Sequence, residues 1–221
     1  MIDRADIDAL LEDATEQLER VRELYAGSLR EQEVPAALKT RIKNVVENQR
    51  SALEYLAHAI YERHGDGKGA KSYYPVAPAP TKFPDVFERV LPGVAANCPD
   101  VRDAIKAHQP YEPGFEWLRH LTLLTNENKH RRLTPQTRTE QRTTRYESGG
   151  AAIQLGEGAS IHLGGGADII LGGQSIRQIQ PTQTIYVDWL FEDPQLSALG
   201  TLERIQESLP SLVDDVVSAL P

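Results

Sequence analysis

Apolar residues recur at helical spacing through the first 64 positions, and this limits the possible folds more than any other feature. Between residues 4 and 26 they stand at Ile7, Leu11, Ala14, Leu18, Val21 and Tyr25, separated alternately by four and three positions. That period matches one face of an α-helix, a face that has to be buried against something. Gly27 and Ser28 close the segment. A second stripe, Ile42, Val45, Val46, Leu53, Leu56 and Ile60, predicts a longer helix from near Pro35 to about His64, stopped by GDGKG. Two amphipathic helices in succession predict an antiparallel hairpin.

The next segment, YYPVAPAPTKFP, has four prolines in twelve residues and is excluded from regular helix. It is expected to lie as a surface arm, residues 73–84, over the bundle. Short helices are expected at roughly 84–91 and 99–108. Another follows QPYEPG and runs through Phe115, Trp117, Leu118, Leu121 and Leu124 to about His130. The texture then changes: residues 139–191 are rich in Gly, Thr, Gln, Ile and Val, with alternation such as TIYVDWLF that predicts strands. Three units of eight, AAIQLGEG, ASIHLGGG and ADIILGGQ, begin at 151, 159 and 167. Each reads as a short strand followed by glycines able to take positive φ in a turn. A last amphipathic helix is expected from about Pro194 to Leu220, interrupted or kinked at Pro210. The fold class is therefore α+β. It is mainly an antiparallel helical bundle, residues 1–136, with a small antiparallel β-sheet, residues 137–192, inserted before a C-terminal helix, residues 193–221, that packs back on the bundle.

Composition narrows the function classes. No apolar run reaches membrane-spanning length, and MIDRADIDALLEDATEQ is acidic where a secretory leader is basic and then apolar. A cytoplasmic location and no membrane partner are expected. The single cysteine, Cys98, excludes an intramolecular disulfide, and AANCPD offers neither histidine nor cation to activate it. Net charge is −8, which argues against wholesale coating of nucleic acid. The charge is segregated, however. Residues 1–34 carry ten acidic and four basic side chains and residues 186–221 seven and one, whereas residues 119–145 carry seven basic and two acidic. The basic stretch can form a local anion site or pair with the acidic ends, and charge alone does not choose.

Several chemistries are missing. There is no GxxxxGK[ST], GEGASI lacks the third glycine of GxGxxG, and HExxH is absent. No two histidines lie three or four apart, and Ser51, Ser72 and Ser148 have no elbow-like context. No metal and no cofactor are expected. Two polar groupings remain. Glu47, Arg50, Glu54, His58 and Tyr61 form one stripe on the second helix, and ion pairing along a solvated face would explain it. Arg119, Asn126 and His130 share a face of the later helix, with Lys129, Arg131 and Arg132 near its C-terminal end, where the helix dipole favours cations. Asn128 is a candidate C-cap.

ENQRSALEYLAHAI resembles a segment LRSALDhLA, and TNENKHRRL resembles LNxxDKHRxL, in a broad group of bacterial helical proteins. YYPVAPAPTKF and IKAHQPYEP are similar in kind to that group's FPI…F and QPY stretches. The group in turn resembles the HEPN superfamily, whose members are helical bundles, often dimeric, and include metal-independent ribonucleases. The resemblance spans roughly residues 35–135. It implies His130 as general acid or base, Arg119 or Arg50 as phosphate clamp, and Asn126 and Lys129 as phosphate-positioning groups. Asn128, Arg131, Arg132 and His58 are further candidates for phosphate or nucleic-acid binding. The ribonuclease motif places an arginine immediately before the polar residue, and here that position is Thr125, a departure that weakens the nuclease expectation. Arg102 and His108 in RDAIKAH match the motif's spacing literally, but a six-residue offset puts them on opposing parts of a helix.

Two readings stay open. One is a non-enzymatic interaction or assembly module, in which the polar residues form a buried network joining two long helices and the β segment presents a partner surface. The other is a HEPN-like RNA- or nucleotide-binding protein, a homodimer and metal-independent endoribonuclease that uses His130.

Overall fold

In a computed structural model the described residues are 4–29, 34–69, 73–130, 136–156, 159–163, 167–191 and 195–221, with side chains described except at 127–130, 136–138, 184 and 186. The first apolar stripe becomes α1 (Ala5–Ser28) and the second becomes α2 (Ala36–His64). All twelve stripe residues are buried. Each large aliphatic side chain so buried contributes roughly 1.5–3 kcal/mol. The pair is antiparallel: Arg41 donates to Gln17 at 2.8 Å, and further along α2 Asn48 bonds Asp13, which lies further back on α1.

The last helix, α7 (Ala198–Ser218), opens on a cap in which the Ser197 hydroxyl accepts from Gly200 N–H. It runs antiparallel to α1, since Arg4 pairs with Asp214 and Arg22 with Glu203. Contrary to the expected interruption, α7 is continuous through Pro210. A proline removes one backbone donor, and burial of Leu209, Leu212 and Val213 around it holds the helix in place. Between the three helices sits a polar bridge. Gln49, fully buried, donates to the Leu202 carbonyl at 3.2 Å and to Gln206 at 3.0 Å. Gln206 in turn donates to the Leu11 carbonyl at 3.1 Å and the Thr15 hydroxyl at 2.9 Å. Such a bridge sets register, because a slip would strand buried amides.

Three short helices, α3 (Phe83–Val90), α4 (Val94–Asn97) and α5 (Pro99–Ala107), precede α6 (Glu116–His130). Prolines in the first turns of α3 and α5 suit positions that need no donor. Helix α6 continues through His130, so Asn128 lies within its last turn and is not the C-cap expected. The proline-rich segment alternates between surface and core: Tyr73, Pro78, Pro80, Thr81, Lys82 and Pro84 are exposed, whereas Tyr74 is 2% exposed, Ala77 0% and Phe83 2%. The fully buried Gln109 holds it, accepting from Ala77 N–H at 2.8 Å and donating to the carbonyls of Pro75 at 2.9 Å and Ile105 at 3.1 Å.

The strands are β1 (Gln136–Ser148), β2 (Ala151–Leu155), β3 (Ile170–Leu171), β4 (Gln174–Ser175) and β5 (Thr182–Phe191). They form one sheet of order β2-β1-β5, with β1 and β2 antiparallel, and a two-stranded β3-β4 hairpin. The eight-residue repeat is structurally unequal. Its first unit gives β2 and its third gives β3, but residues 159–163 of the middle unit form no strand; Ile161 and Leu163 pack instead on Leu171, Ile176 and Ile179. Glycine is required where two turns meet: Gly172 has φ +52°, and a Cβ there would lie 2.2 Å from the Ser148 carbonyl oxygen. The chain divides into two compact units, Met1–Thr137 with Leu190–Pro221, and Arg138–Trp189. Among the described residues, no helix is long and apolar enough to cross a membrane.

Replacing Gln109 by Ala strands one buried N–H and one buried carbonyl in the 73–84 segment, which should cost about 3 kcal/mol in urea unfolding; a loss below about 1 kcal/mol would show that the segment does not depend on this amide. At the end of α2, Asp66 accepts from Lys68 N–H and Tyr61 O–H, both at 3.0 Å. The backbone bond from Lys68 is the main cause holding its carboxyl below the usual range, against a smaller opposing effect of desolvation. A folded pKa below the unfolded one gives stability that is present above the unfolded value, about 3.9, and is lost as pH falls through the folded value. Asp66→Asn should therefore flatten the acid limb of the stability profile below about pH 4, and an unchanged slope would exclude Asp66 from it.

Candidate functional site

Helix α2 brings Arg50 and Glu54, one turn apart, to a cleft of about 400 Å³. The Gln109-held segment adds Tyr73, Tyr74 and Val76; α3 adds Val86, Arg89 and Val90; and α6 adds Thr122, Thr125 and Asn126. Two of the predicted residues, Arg50 and Asn126, thus meet. The Arg50 side chain is only 10% exposed, and its Nε donates to Glu54 Oε1 at 3.0 Å. Its Nη1 is buried with no hydrogen-bond partner. The Tyr74 hydroxyl is likewise buried and unpartnered. Burial pushes the Tyr74 phenol far up in pKa, with the Arg50 charge acting the other way, so it is a neutral O–H donor. A buried polar group without a partner costs roughly 1–3 kcal/mol, so two in one cleft require a reason.

Thr125, where the resemblance would place an arginine, is 2% exposed and turns its hydroxyl back on its own helix, 2.9 Å from the Leu121 carbonyl and 3.1 Å from that of Thr122. The arginine at this cleft comes from α2 instead. Arg119 does not join it. It lines a second cleft, of about 450 Å³, with Pro78, Pro110, Tyr111 and Leu123, and Val76 and Thr122 border both. The spacing of seven puts Arg119 and Asn126 near one side of α6, but they line different clefts, with Val76 of the proline-rich segment bordering both.

His58 is also elsewhere. It is exposed and pairs with Glu62 at 3.2 Å, outside the cleft that Arg50 enters. Tyr61 closes on Asp66, so the five-residue stripe of α2 splits into separate environments. The backbones of Asn128, Lys129 and His130 complete α6, while their side chains, and Arg131 and Arg132 entirely, lie outside the described residues. The Arg102 and His108 pair is no site. His108 is 7% exposed, with Nδ1 2.7 Å from the Ala104 carbonyl, Nε2 3.0 Å from Asp215 and its ring edge-on to Phe115. Arg102 pairs with Asp103. On α6, burial lowers the pKa of His120, aided by the charge of Arg119, which leaves it neutral at pH 7.

Sequence reasoning missed Tyr74 and Arg89. The doubled tyrosine before Pro75 was the available signal, but an irregular segment has no period to show which ring turns inward. It also missed the polar bridge that does join long helices, Gln49 with Gln206, because a glutamine on an apolar face reads as a break in the stripe. Among the described residues no group of three His, Cys, Asp or Glu could hold a metal ion. Comparison of the chain with protein-family models, with curated proteins and with solved structures finds no match.

Proposed function

We propose that the chain is a non-enzymatic binding module built on a HEPN-like bundle, whose α2–α3–α6 cleft takes a ligand bearing a hydrogen-bond acceptor. One observation carries this: Arg50 and Tyr74, which line the same cleft, each hold a buried donor without a partner, Nη1 and the hydroxyl. The described side chains of that cleft are poorly suited to moving a proton at neutral pH. Glu54 is ion-paired to Arg50, and Tyr74 is held in its neutral form. A cytoplasmic setting, a homodimer, and a partner surface on the β unit, where Ile170 and Ile185 are exposed, belong to the same proposal.

The endoribonuclease reading draws support from a different fact. Arg50 and Asn126 share the cleft, and His130 follows one turn beyond Asn126 on α6. RNA or a nucleotide would then be the ligand. The two readings separate in a cleavage assay without added metal, on single-stranded and hairpin RNA. The binding module leaves RNA intact; cleavage by the wild-type protein that His130→Ala abolishes would overturn it and establish the nuclease.

A further inference from the structure

We propose that the cleft recognises a carboxylate at the end of an apolar body, either a free organic acid or the C-terminus of a peptide. This rests on the binding-module reading and names its ligand. Charge is the first argument. Among the lining residues with described side chains, Arg50 and Arg89 are cationic and Glu54 is anionic, which leaves one net positive charge. A carboxylate carries one negative charge, whereas a terminal phosphate brings up to two.

The donors are the second argument. Thr122 and Thr125 already direct their hydroxyls to the Leu118 and Leu121 carbonyls, each at 2.9 Å. Tyr73, Arg89 and Asn126 also line the cleft but are exposed; the buried donors without a partner are Arg50 Nη1 and the Tyr74 O–H. Two unpartnered donors, on residues that line one cleft, suit the two oxygens of a flat, terminal carboxylate, and such charge-assisted bonds are the strong ones. Both donor atoms are shielded from bulk solvent, so the group that reaches them has to be a narrow chain end, admitted by a small rotation of Arg50. A phosphodiester in the middle of a strand would have to carry the chain past them in both directions. The walls are the third argument: Val76, Val86 and Val90, with Tyr73 half-exposed, offer an apolar lining above the donors.

The test titrates the full chain, followed by backbone amide NMR, with 3-phenylpropanoate, its amide 3-phenylpropanamide, inorganic phosphate and adenosine 5′-monophosphate. Two peptides ending in phenylalanine, one with a free and one with an amidated C-terminus, complete the set. The proposal expects saturable shifts on α2 near Arg50 and on α6 near Asn126 with the free acid, the free peptide, or both, the stronger binder identifying the source. The amides should bind at least about tenfold more weakly. Tyr74→Phe keeps the ring and loses the hydroxyl, and should weaken carboxylate binding by about tenfold while the fold is retained. Equal binding of acid and amide, or an unchanged affinity in Tyr74→Phe, overturns carboxylate recognition and leaves the binding module standing. Cleft shifts with phosphate or the nucleotide alone overturn it in favour of a phosphate ligand. No cleft shift with any probe overturns both.

Discussion

A single buried amide, that of Gln109, holds the segment on which the cleft depends. Residues 73–84 contain four prolines and so lack four backbone donors, and the stretch before Pro80 joins neither a helix nor a sheet ladder. Its remaining buried backbone groups still need partners. Gln109 supplies both an acceptor and a donor from the end of α5, and in doing so seats Tyr74 and Ala77 against the bundle. Without that seating neither Tyr74 nor Val76 would wall the space beside Arg50. The IKAHQPYEP and YYPVAPAPTKF stretches, which look unrelated in the sequence, are thus two halves of one contact.

The second constraint is the burial of a charge. Taking a guanidinium out of water is costly, and one ion pair to Glu54 covers only part of its hydrogen-bonding capacity. The fold leaves Nη1 unpartnered, and the neutral hydroxyl of Tyr74, which lines the same cleft, is also unpartnered. Buried polar atoms without a partner also occur at Arg4 Nε, Gln49 Oε1, Tyr111 and Trp117; what sets Arg50 and Tyr74 apart is that both line one cleft.

The helices were legible because a 3.6-residue period acts on every residue of a segment, and each error in α1, α2 or α7 would expose several apolar side chains at once. Pro210 does not interrupt α7, since a local penalty on one hydrogen bond is outweighed by packing on both sides of it. The middle repeat, ASIHLGGG, is the opposite case. Its composition equals that of its neighbours, but a strand also needs a partner edge, and the register of β1 with β2 ends at Leu155. Of the candidates that helical spacing grouped, Arg50 and Asn126 line one cleft, whereas Arg119 lines another and His58 is exposed beside Glu62. Spacing reports which side of one helix a residue occupies; it carries nothing about which other segment crosses that side.

By itself, then, the sequence determined the α+β class, the long helices and their buried faces, and the position of the β excursion between α6 and α7. These follow from local periodicity and from the demand that apolar faces leave water, which any tertiary arrangement has to meet. Only the tertiary structure decided which residues of the proline-rich segment turn into the core, and that Arg50 rather than Arg119 lines one cleft with Asn126 and Tyr74. Each of these depends on contacts between residues far apart in the chain, held by a few buried hydrogen bonds whose partners no local pattern specifies.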